Sequence, residues 1–258
     1  MVDVAPAASP IPSISHLTLS EVWASLRHGF YDFKRAPIYG LVFSGIYVIG
    51  GIGLLALGAG SLAWTLAFVL GFPLIAPFAA VGLYEVSRRL EAEEKLHLVA
   101  IFGVVFAERR RQVPWIGVIL LITFLFWFFL AHMIFALFMG PQILTNISTS
   151  YEFLFSSAGL AMLGAQVAIG GVVAVMTFAG TVVSLPLALD REIDFVTAIV
   201  LSFKAFRRNL PVMIIWGAVI ALLTAVAMVP WFLGLLFVMP VLGHATWHIY
   251  RRVLYDPV

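Results

Sequence analysis

Two histidines four residues apart are the first candidates for chemistry in this sequence. His244 and His248 occupy positions i and i+4 of an apolar stretch, so they share one face of a predicted helix. Such a pair could ligate a metal ion or approach a haem. The segment lacks the glutamate that follows the first histidine in zinc proteases, and no third ligand is evident. The alternative, which we favour, is that both rings form hydrogen bonds where helices meet.

Two segments with a shared pattern carry the next candidates. In residues 77–89 and in residues 240–252, a proline precedes a pair of arginines by eleven residues. We expect these two segments to meet at one end of a helical bundle. Besides the histidines, the candidate residues on them are Trp247, Arg251, Glu85 and Arg88.

A second pair of polar side chains lies within apolar segments. His132 and Gln166 are predicted at similar depth in two neighbouring membrane spans. Polar groups inside a membrane usually bond to another part of the protein, so we expect both to face the bundle interior. A structural role is the favoured interpretation.

The composition is that of a membrane protein. Hydrophobic residues make up 62% of the 258 residues and charged residues only 11%, with a mean hydropathy of +1.07. No cysteine is present, which excludes disulfides, thiolate nucleophiles and cysteine-ligated metals. The net charge of +2 does not indicate nucleic-acid binding, because the basic residues flank the apolar runs.

Four long runs without charged residues predict six membrane-spanning helices, since one span needs about 20 apolar residues. The first and last runs are each about twice that length and contain Gly or Pro near the middle, so each predicts two helices. The predicted spans are 38–58, 62–84, 115–139, 158–187, 211–228 and 232–250.

Shorter amphipathic stretches precede these spans. Residues from Leu19 to Phe33 carry apolar side chains at helical spacing, and Thr18 with Glu21 forms a capping box. We expect this helix, and two similar ones, to lie in the membrane interface. Residues 1–16 are predicted to be a disordered tail, and residues 17–258 a single membrane domain.

The basic residues predict the orientation. All 15 Lys and Arg residues lie in 1–35, 85–111, 190–208 and 251–252, and the three opposite connections contain none. The positive-inside rule therefore places both termini in the cytoplasm. We expect the chain to lie in the inner, or plasma, membrane. Trp247 and Tyr250 are expected to be aromatic anchors in the interface.

The chain also contains an internal repeat. Three times, an amphipathic stretch leads to a basic pair and then to a proline that opens two spans, at Pro37, Pro114 and Pro211. All three units begin on the same side, so the predicted repeat is parallel. The predicted fold is therefore all-α, with six transmembrane helices as three hairpins, each preceded by a cytoplasmic interfacial helix.

Two motifs resemble a known family. Pro73-Leu-Ile-Ala-Pro-Phe-Ala-Ala-Val-Gly-Leu-Tyr-Glu-Val-Ser-Arg-Arg89 and Pro240-Val-Leu-Gly-His-Ala-Thr-Trp-His-Ile-Tyr-Arg251 are similar to the bacterial membrane proteins of domain of unknown function 2189, over nearly the whole chain after Leu17. The resemblance implies a location and a fold but no activity. Some relatives carry the label of a cytochrome c oxidase subunit, a label that this sequence does not support by itself.

Three functions are compatible with these features, and none requires a catalytic residue. No predicted span contains Asp, Glu, Lys or Arg away from its ends, which argues against an energised transporter. The leading hypothesis is a non-enzymatic accessory or scaffolding component of an envelope or respiratory assembly. The alternatives are a passive channel or carrier for small or apolar molecules, and a redox protein that binds haem or metal at His244 and His248. The expected partners are the lipid bilayer and other membrane proteins, not nucleic acid.

Overall fold

Helices are the main regular structure of the part of the chain that the structure describes. A computed structural model describes residues 10–56, 62–140 and 155–255, although the side chains of 54–55, 62–75 and 139 lie outside this description. The helices are α1 (Leu19–Arg35), α2 (Pro37–Ala56), α3 (Leu62–Glu91), α4 (Leu98–Glu108), α5 (Val113–Met139), α6 (Ser157–Thr181), α7 (Ser184–Asp190), α8 (Phe195–Arg208), α9 (Leu210–Met228) and α10 (Leu235–Leu254).

Helix α10 lies at the centre of the packing. It contacts α1 most extensively, and it also packs against α2, α3 and α9. Trp247, Ile249 and Tyr250 are fully or almost fully buried in the main core. This core lies at the end of the molecule that contains the basic segments 85–111, 190–208 and 251–252, which we name the charged end.

Helix α1 packs mainly small and polar side chains, together with Val22, against the rest of the protein. Its buried residues are Val22, Ser25, Gly29 and Asp32, whereas Trp23 and Phe30 of the apolar stripe are 46% and 38% exposed. The small side chains allow α1 to approach α10 closely, as in membrane helix pairs. The part of the apolar stripe that carries Trp23 and Phe30 is left to face outward, which suits a helix that lies against lipid.

Three described helical segments are long and apolar enough to cross a bilayer. They are Val113–Phe138, Ser157–Asp190 and Leu210–Met228, with a fourth only if α1 and α2, bent by 104°, are counted as one span. The six predicted spans are therefore not confirmed. Helix α10 takes the place of the sixth, but its second half carries two histidines and two arginines that lower its hydropathy. Half of the second predicted span, within α3, lies outside the described side chains.

The predicted fourth span is interrupted near one end. Helix α6 ends at Thr181 and α7 begins at Ser184, because Pro186 has no N–H to continue the helical bonding. The Ser202 hydroxyl of α8 compensates at the break: it donates to the Ala179 carbonyl at 2.7 Å and accepts from the Val183 amide at 3.1 Å. The all-α prediction is confirmed, and the break is a feature that the sequence analysis did not include.

The helices follow one another as a short helix and two long ones, but they do not pack as three separate hairpins. Helix α10 packs more extensively on α1 and α2 than on its sequence neighbour α9, and α3 packs extensively on α5. The repeat therefore stays a prediction. The first predicted turn, at 58–61, and most of the connection at 140–157 lie outside the described residues.

The chain is already attached to the bundle before α1 begins. The Ser15 amide donates to the Val253 carbonyl at 2.7 Å, and the Leu17 amide donates to Oδ1 of Asn209 at 2.7 Å. Of the predicted tail, residues 10–16 are described without regular secondary structure and are attached through Ser15, and residues 1–9 lie outside the description.

Candidate functional site: a polar cluster where three helices meet

Close helix contacts bring the candidate histidines to a junction of α1, α3 and α10. A Cβ added to Gly29 of α1 would lie 2.5 Å from the Ala245 amide nitrogen and the Val241 carbonyl oxygen of α10. On the other side of α10, a Cβ on Gly243 would lie 2.7 Å from Cδ1 of Leu83 in α3. The polar residues at this contact are Asp32, Ser87, Glu91, His244, Trp247, His248 and Arg251, which we name the junction cluster.

Asp32 is the acceptor that connects the cluster. Its Oδ2 atom accepts from the Ser87 hydroxyl at 2.8 Å and from Nε2 of His248 at 2.8 Å. Nδ1 of His244 lies 2.8 Å from the same Ser87 hydroxyl. A chain of hydrogen bonds therefore runs from His248 through Asp32 and Ser87 to His244, across three helices.

The single proton of the Ser87 hydroxyl determines which atoms donate in this series of hydrogen bonds. The Ser87 hydroxyl has one proton and gives it to Asp32, so His244 must donate from Nδ1 to the Ser87 oxygen. A neutral His244 then has an unprotonated Nε2, and this buried atom has no hydrogen-bond partner among the described residues. His244 itself is fully buried, which disfavours a charged ring.

The serine, the histidine and the aspartate do not form a nucleophilic triad. In a triad the serine donates to the histidine, and the histidine donates to the carboxylate. Here Ser87 lies between the other two side chains, donates to Asp32 and is fully buried. Its oxygen therefore has neither a base to activate it nor access to a substrate.

The two histidines bond in different directions rather than toward one point. His244 bonds to α3 and His248 bonds to α1, while the ring of His28 meets that of His248 edge to face with centroids 5.2 Å apart. In the described part of the chain, no group of three or more His, Asp or Glu side chains is arranged to hold a metal ion. Each histidine therefore connects α10 to a neighbouring helix, α3 for His244 and α1 for His248.

A second branch of the cluster begins at Glu91, the last residue of α3. Its Oε2 atom accepts from Nε1 of Trp247 at 2.9 Å, and its Oε1 atom accepts from Nε of Arg251 at 3.1 Å. The hydroxyl of Tyr250 donates to Oδ2 of Asp190 at 2.7 Å. Trp247 and Tyr250 are 1% and 0% exposed, so the prediction that they anchor in the interface is wrong. Their polar atoms instead bond to carboxylates inside the protein.

The junction cluster opens to the outside through one small cavity. The cavity has a volume of about 240 Å³ and reaches Asp32, Glu91 and His248. Its other walls include His28, Tyr31 and Arg35 of α1. The side chains from α1 thus separate the bonded centre of the cluster from the surrounding solvent or headgroups.

Glu85 and Arg88 form a separate ion cluster next to the junction. Glu85 is 1% exposed and accepts from Nε of Arg88 at 2.7 Å and from Nε of Arg89 at 2.6 Å. The hydrogen bonds from Arg88 to Glu85 raise the pKa of the Arg88 guanidinium above its ordinary value. Glu94 closes the cluster, 3.3 Å from Nη1 of Arg88. These bonds hold the end of α3 and leave no free carboxylate for acid–base chemistry.

His132 and Gln166 lie far from the junction cluster in sequence and on other helices. His132 is exposed on α5, where its Nδ1 donates to the Phe128 carbonyl at 2.8 Å, so it does not face the bundle interior. Gln166 is half-buried, and its Nε2 donates to the Ala131 carbonyl at 3.5 Å. The two side chains do not bond to each other, because each one satisfies a carbonyl of α5.

Sequence reasoning missed the acidic and hydroxyl partners of the histidines. Asp32, Ser87, Glu91 and Asp190 were not candidates, although each bonds to a candidate or to its neighbour. For Asp32 a signal was present: Ser25, Gly29 and Asp32 form a stripe of small or polar residues at helical spacing. No comparable pattern marked Ser87.

The central part of the chain matches a known sequence family. Residues 65–190 match the family model described as "Predicted integral membrane protein (DUF2189)". We name these matched residues the DUF2189 region. No curated protein and no solved structure matches the chain.

The DUF2189 region extends from α3 to the end of α7 and includes Ser87, Glu91 and Asp190. The match is narrower than the resemblance, which covered nearly the whole chain after about Leu17. Asp32, His244 and His248 lie outside the matched residues, on α1 and α10. The match describes a membrane protein, and it carries no link to cytochrome c oxidase.

Proposed function

We propose that this protein is a non-enzymatic accessory or scaffolding component of a membrane assembly in the envelope or the respiratory system. The junction cluster supports this role because its bonds hold helices together and leave no activated nucleophile or open metal site. An assembly component needs a rigid core and a free surface for its partner. The two features lie at different ends of this molecule.

The observation that carries the proposal is a stripe of small residues on the outer face of α6. Ala161, Gly164, Ala168 and Gly171 are all exposed, and they recur at helical spacing. A Cβ built on Gly164 or Gly171 would meet nothing within 4 Å. Stripes of small residues allow transmembrane helices to approach closely, so this face suits a helix of a partner protein.

The helix that packs on α6 also has a large free surface. Within the apolar window of α5, only 6% of residues are buried, and Phe126 and Phe129 are 59% and 66% exposed. Lipid covers such a surface as well as protein does. The small-residue stripe is therefore the more specific indication of a protein partner.

A passive channel or carrier has less support. The cavity between α5, α6 and α8 has a volume of about 190 Å³ and contains three threonines. The hydroxyls of Thr123, Thr177 and Thr181 donate to carbonyls of their own helices at 2.9, 2.8 and 2.8 Å. Hydroxyls bonded in this way do not form a polar path for a solute.

We further propose that residues 17–258 form one membrane domain with both termini in the cytoplasm. The basic segments support this orientation because they meet at the charged end. Arg111 pairs with Glu192 at 2.5 Å, and Arg251 pairs with Glu91 at 3.1 Å, so segments far apart in sequence share one side.

Site-specific photocrosslinking in native membranes tests the scaffolding role. A photoreactive residue at Ala168 should crosslink to one discrete protein, and a second substitution, Gly164→Leu, should abolish that product because leucine fills the stripe. The matched control places the photoreactive residue at Phe129, which is exposed on α5 outside the stripe. Crosslinks from Ala168 to lipid alone, or a product unaffected by Gly164→Leu, would contradict the proposal.

A further inference from the structure

The short helix α4 forms an apolar groove with α3 on the surface of the protein. The groove has a volume of about 530 Å³ and is lined by Phe78, Phe102, Gly103, Val105, Phe106 and Arg109. Phe102 and Phe106 are 44% and 61% exposed. A Cβ built on Gly103 would meet nothing within 4 Å, so the glycine leaves open space in the lining.

One end of the groove is basic. The guanidinium of Arg109 lies 3.4 Å from the centroid of the Phe106 ring, and Arg110 is exposed beside it. Among the described residues, neither arginine forms an ion pair. The neighbouring carboxylate of Glu108 is turned inward, where it is 1% exposed and bonds to Arg111. The rim therefore carries positive charge without a carboxylate to neutralise it.

We propose that this groove is a specific site for an anionic phospholipid. An acyl chain would lie against Phe78, Phe102 and Phe106, and the phosphate would bond to Arg109 and Arg110. Arginine binds phosphate oxygens through two parallel N–H donors, and basic pockets on the cytoplasmic side of membrane helices bind anionic headgroups. The proposal does not depend on the scaffolding role.

The position of the groove supports a lipid rather than a soluble ligand. Helix α4 has 11 residues and is about 16 Å long, too short to cross a hydrocarbon core of about 30 Å. Helix α4 lies within the charged segment 85–111, and it lines the groove together with Phe78 of the second predicted span. Leu98 and Val99, on the outer side of α4, are also exposed and apolar, as expected for a helix in contact with lipid.

The test measures which lipid the purified protein retains. The full-length chain is placed in nanodiscs with equal amounts of phosphatidylglycerol and phosphatidylcholine of the same acyl chains, and retained lipid is counted by native mass spectrometry. The unaltered chain should retain phosphatidylglycerol preferentially. The double variant Arg109→Gln/Arg110→Gln should lower this retention by about fivefold for each arginine. Gly103→Leu should remove the retained lipid, because the new side chain occupies the groove.

Two matched controls separate a site from general attraction. Arg207→Gln/Arg208→Gln removes the basic pair at the end of α8, and Gly45→Leu fills an equally open glycine of α2. Both should leave the ratio of the two lipids unchanged. Equal retention of both lipids by the unaltered chain would overturn the proposal. So would an equal loss in the α8 control, or unchanged retention in a folded Gly103→Leu variant.

Discussion

The carboxylate of Asp32 accepts hydrogen bonds from two helices that lie far from α1 in the chain. Ser87 of α3 and His248 of α10 both donate to its Oδ2 atom at 2.8 Å, and Asp32 is only 7% exposed. A buried carboxylate is stable only when donors replace its water, and buried donors lose more when their acceptor is removed. Asp32 is therefore the residue whose loss should weaken the α1–α3–α10 contact most.

At the residue scale, Asp32→Ala should lower the free energy of unfolding by about 3 kcal/mol. The change leaves the buried Ser87 hydroxyl and the half-buried His248 ring without their acceptor, and hydrogen bonds to a charged group contribute about 1.5–3 kcal/mol each. Equilibrium unfolding in detergent measures the difference. The control is Glu93→Ala, which removes an exposed carboxylate that forms no ion pair within the described residues. A loss in Asp32→Ala no larger than in the control would contradict the role of Asp32.

The candidate histidines were predictable, whereas their partners were not. His244 and His248 share a helical face at a spacing that is visible in sequence, and the two expected segments, 77–89 and 240–252, do contact each other. Asp32 lies 216 residues from His248, and helical periodicity does not report which faces of distant helices meet. The identity of an acceptor depends on tertiary contacts that one sequence does not contain.

At the element scale, the contact between α1 and α10 depends on Gly29. A Cβ at this position would lie 2.5 Å from backbone atoms of α10, and backbone cannot move aside as a flexible side chain can. Gly29→Ala should therefore lower the free energy of unfolding by about 2 kcal/mol, as expected for overpacking. The matched control is Gly45→Ala in α2, where a Cβ would meet nothing within 4 Å. That variant should be neutral or more stable, because alanine favours helix.

Equilibrium unfolding of the two alanine variants in the same detergent, monitored by circular dichroism, measures the difference in their free energies of unfolding. If both glycine variants have the same stability, the close approach of α1 to α10 is not the stabilising contact described here.

The beginning of α8 offers a pH-dependent test at the same scale. The side-chain and backbone hydrogen bonds from Thr197 hold the pKa of the Asp194 carboxyl below its ordinary value. A lowered pKa means that Asp194 contributes stability at neutral pH, and this contribution is lost as pH falls through the lowered pKa. Asp194→Ala should cost about 1 kcal/mol at pH 7 and less once the pH falls below the lowered pKa of Asp194.

The control for this prediction is Asp194→Ser, which keeps a capping oxygen but does not titrate. Its stability relative to Asp194→Ala should stay the same across that pH range. Unfolding free energies at several pH values check both variants, and a constant difference between wild type and Asp194→Ala would exclude capping by the charged form.

Most helix bounds were predictable because they follow from composition and from the capping and proline residues at helix ends. The predicted span 211–228 corresponds to α9, Leu210–Met228, and the capping box at Thr18 is present at the start of α1. The buried face of α1 was not predictable from its apolar stripe. In a membrane the outer surface is apolar, so the stripe of Trp23 and Phe30 indicates lipid as readily as core. For the same reason, the sequence did not distinguish burial of Trp247 in the core from a position in the membrane interface.

At the scale of the whole molecule, the two ends differ in packing. Polar and apolar contacts concentrate at the charged end, where α1, α3, α7, α8 and α10 meet. Toward the other end, α5, α6 and α9 expose side chains such as Leu137, Val167 and Leu222, which are 75%, 75% and 65% exposed. A rigid end joined to helices with free apolar surface suits a protein that holds partners within a membrane.

The proposed topology places the charged end of the molecule in the cytoplasm and the lipid groove at the cytoplasmic face of the membrane. Because the chain contains no cysteine, single cysteines can be introduced without a background of native thiols. The most direct test labels such variants in intact cells with a maleimide that does not cross membranes, then repeats the labelling after the membrane is opened. The positions are Ser13, Ser61, Glu93, Thr145, Glu192, Trp231 and Tyr255.

Six spans with cytoplasmic termini predict that only cysteines at Ser61, Thr145 and Trp231 react in intact cells, and that the other four react after opening. Labelling of Ser13→Cys or Glu93→Cys from outside, or protection of Trp231→Cys in intact cells, would contradict this topology.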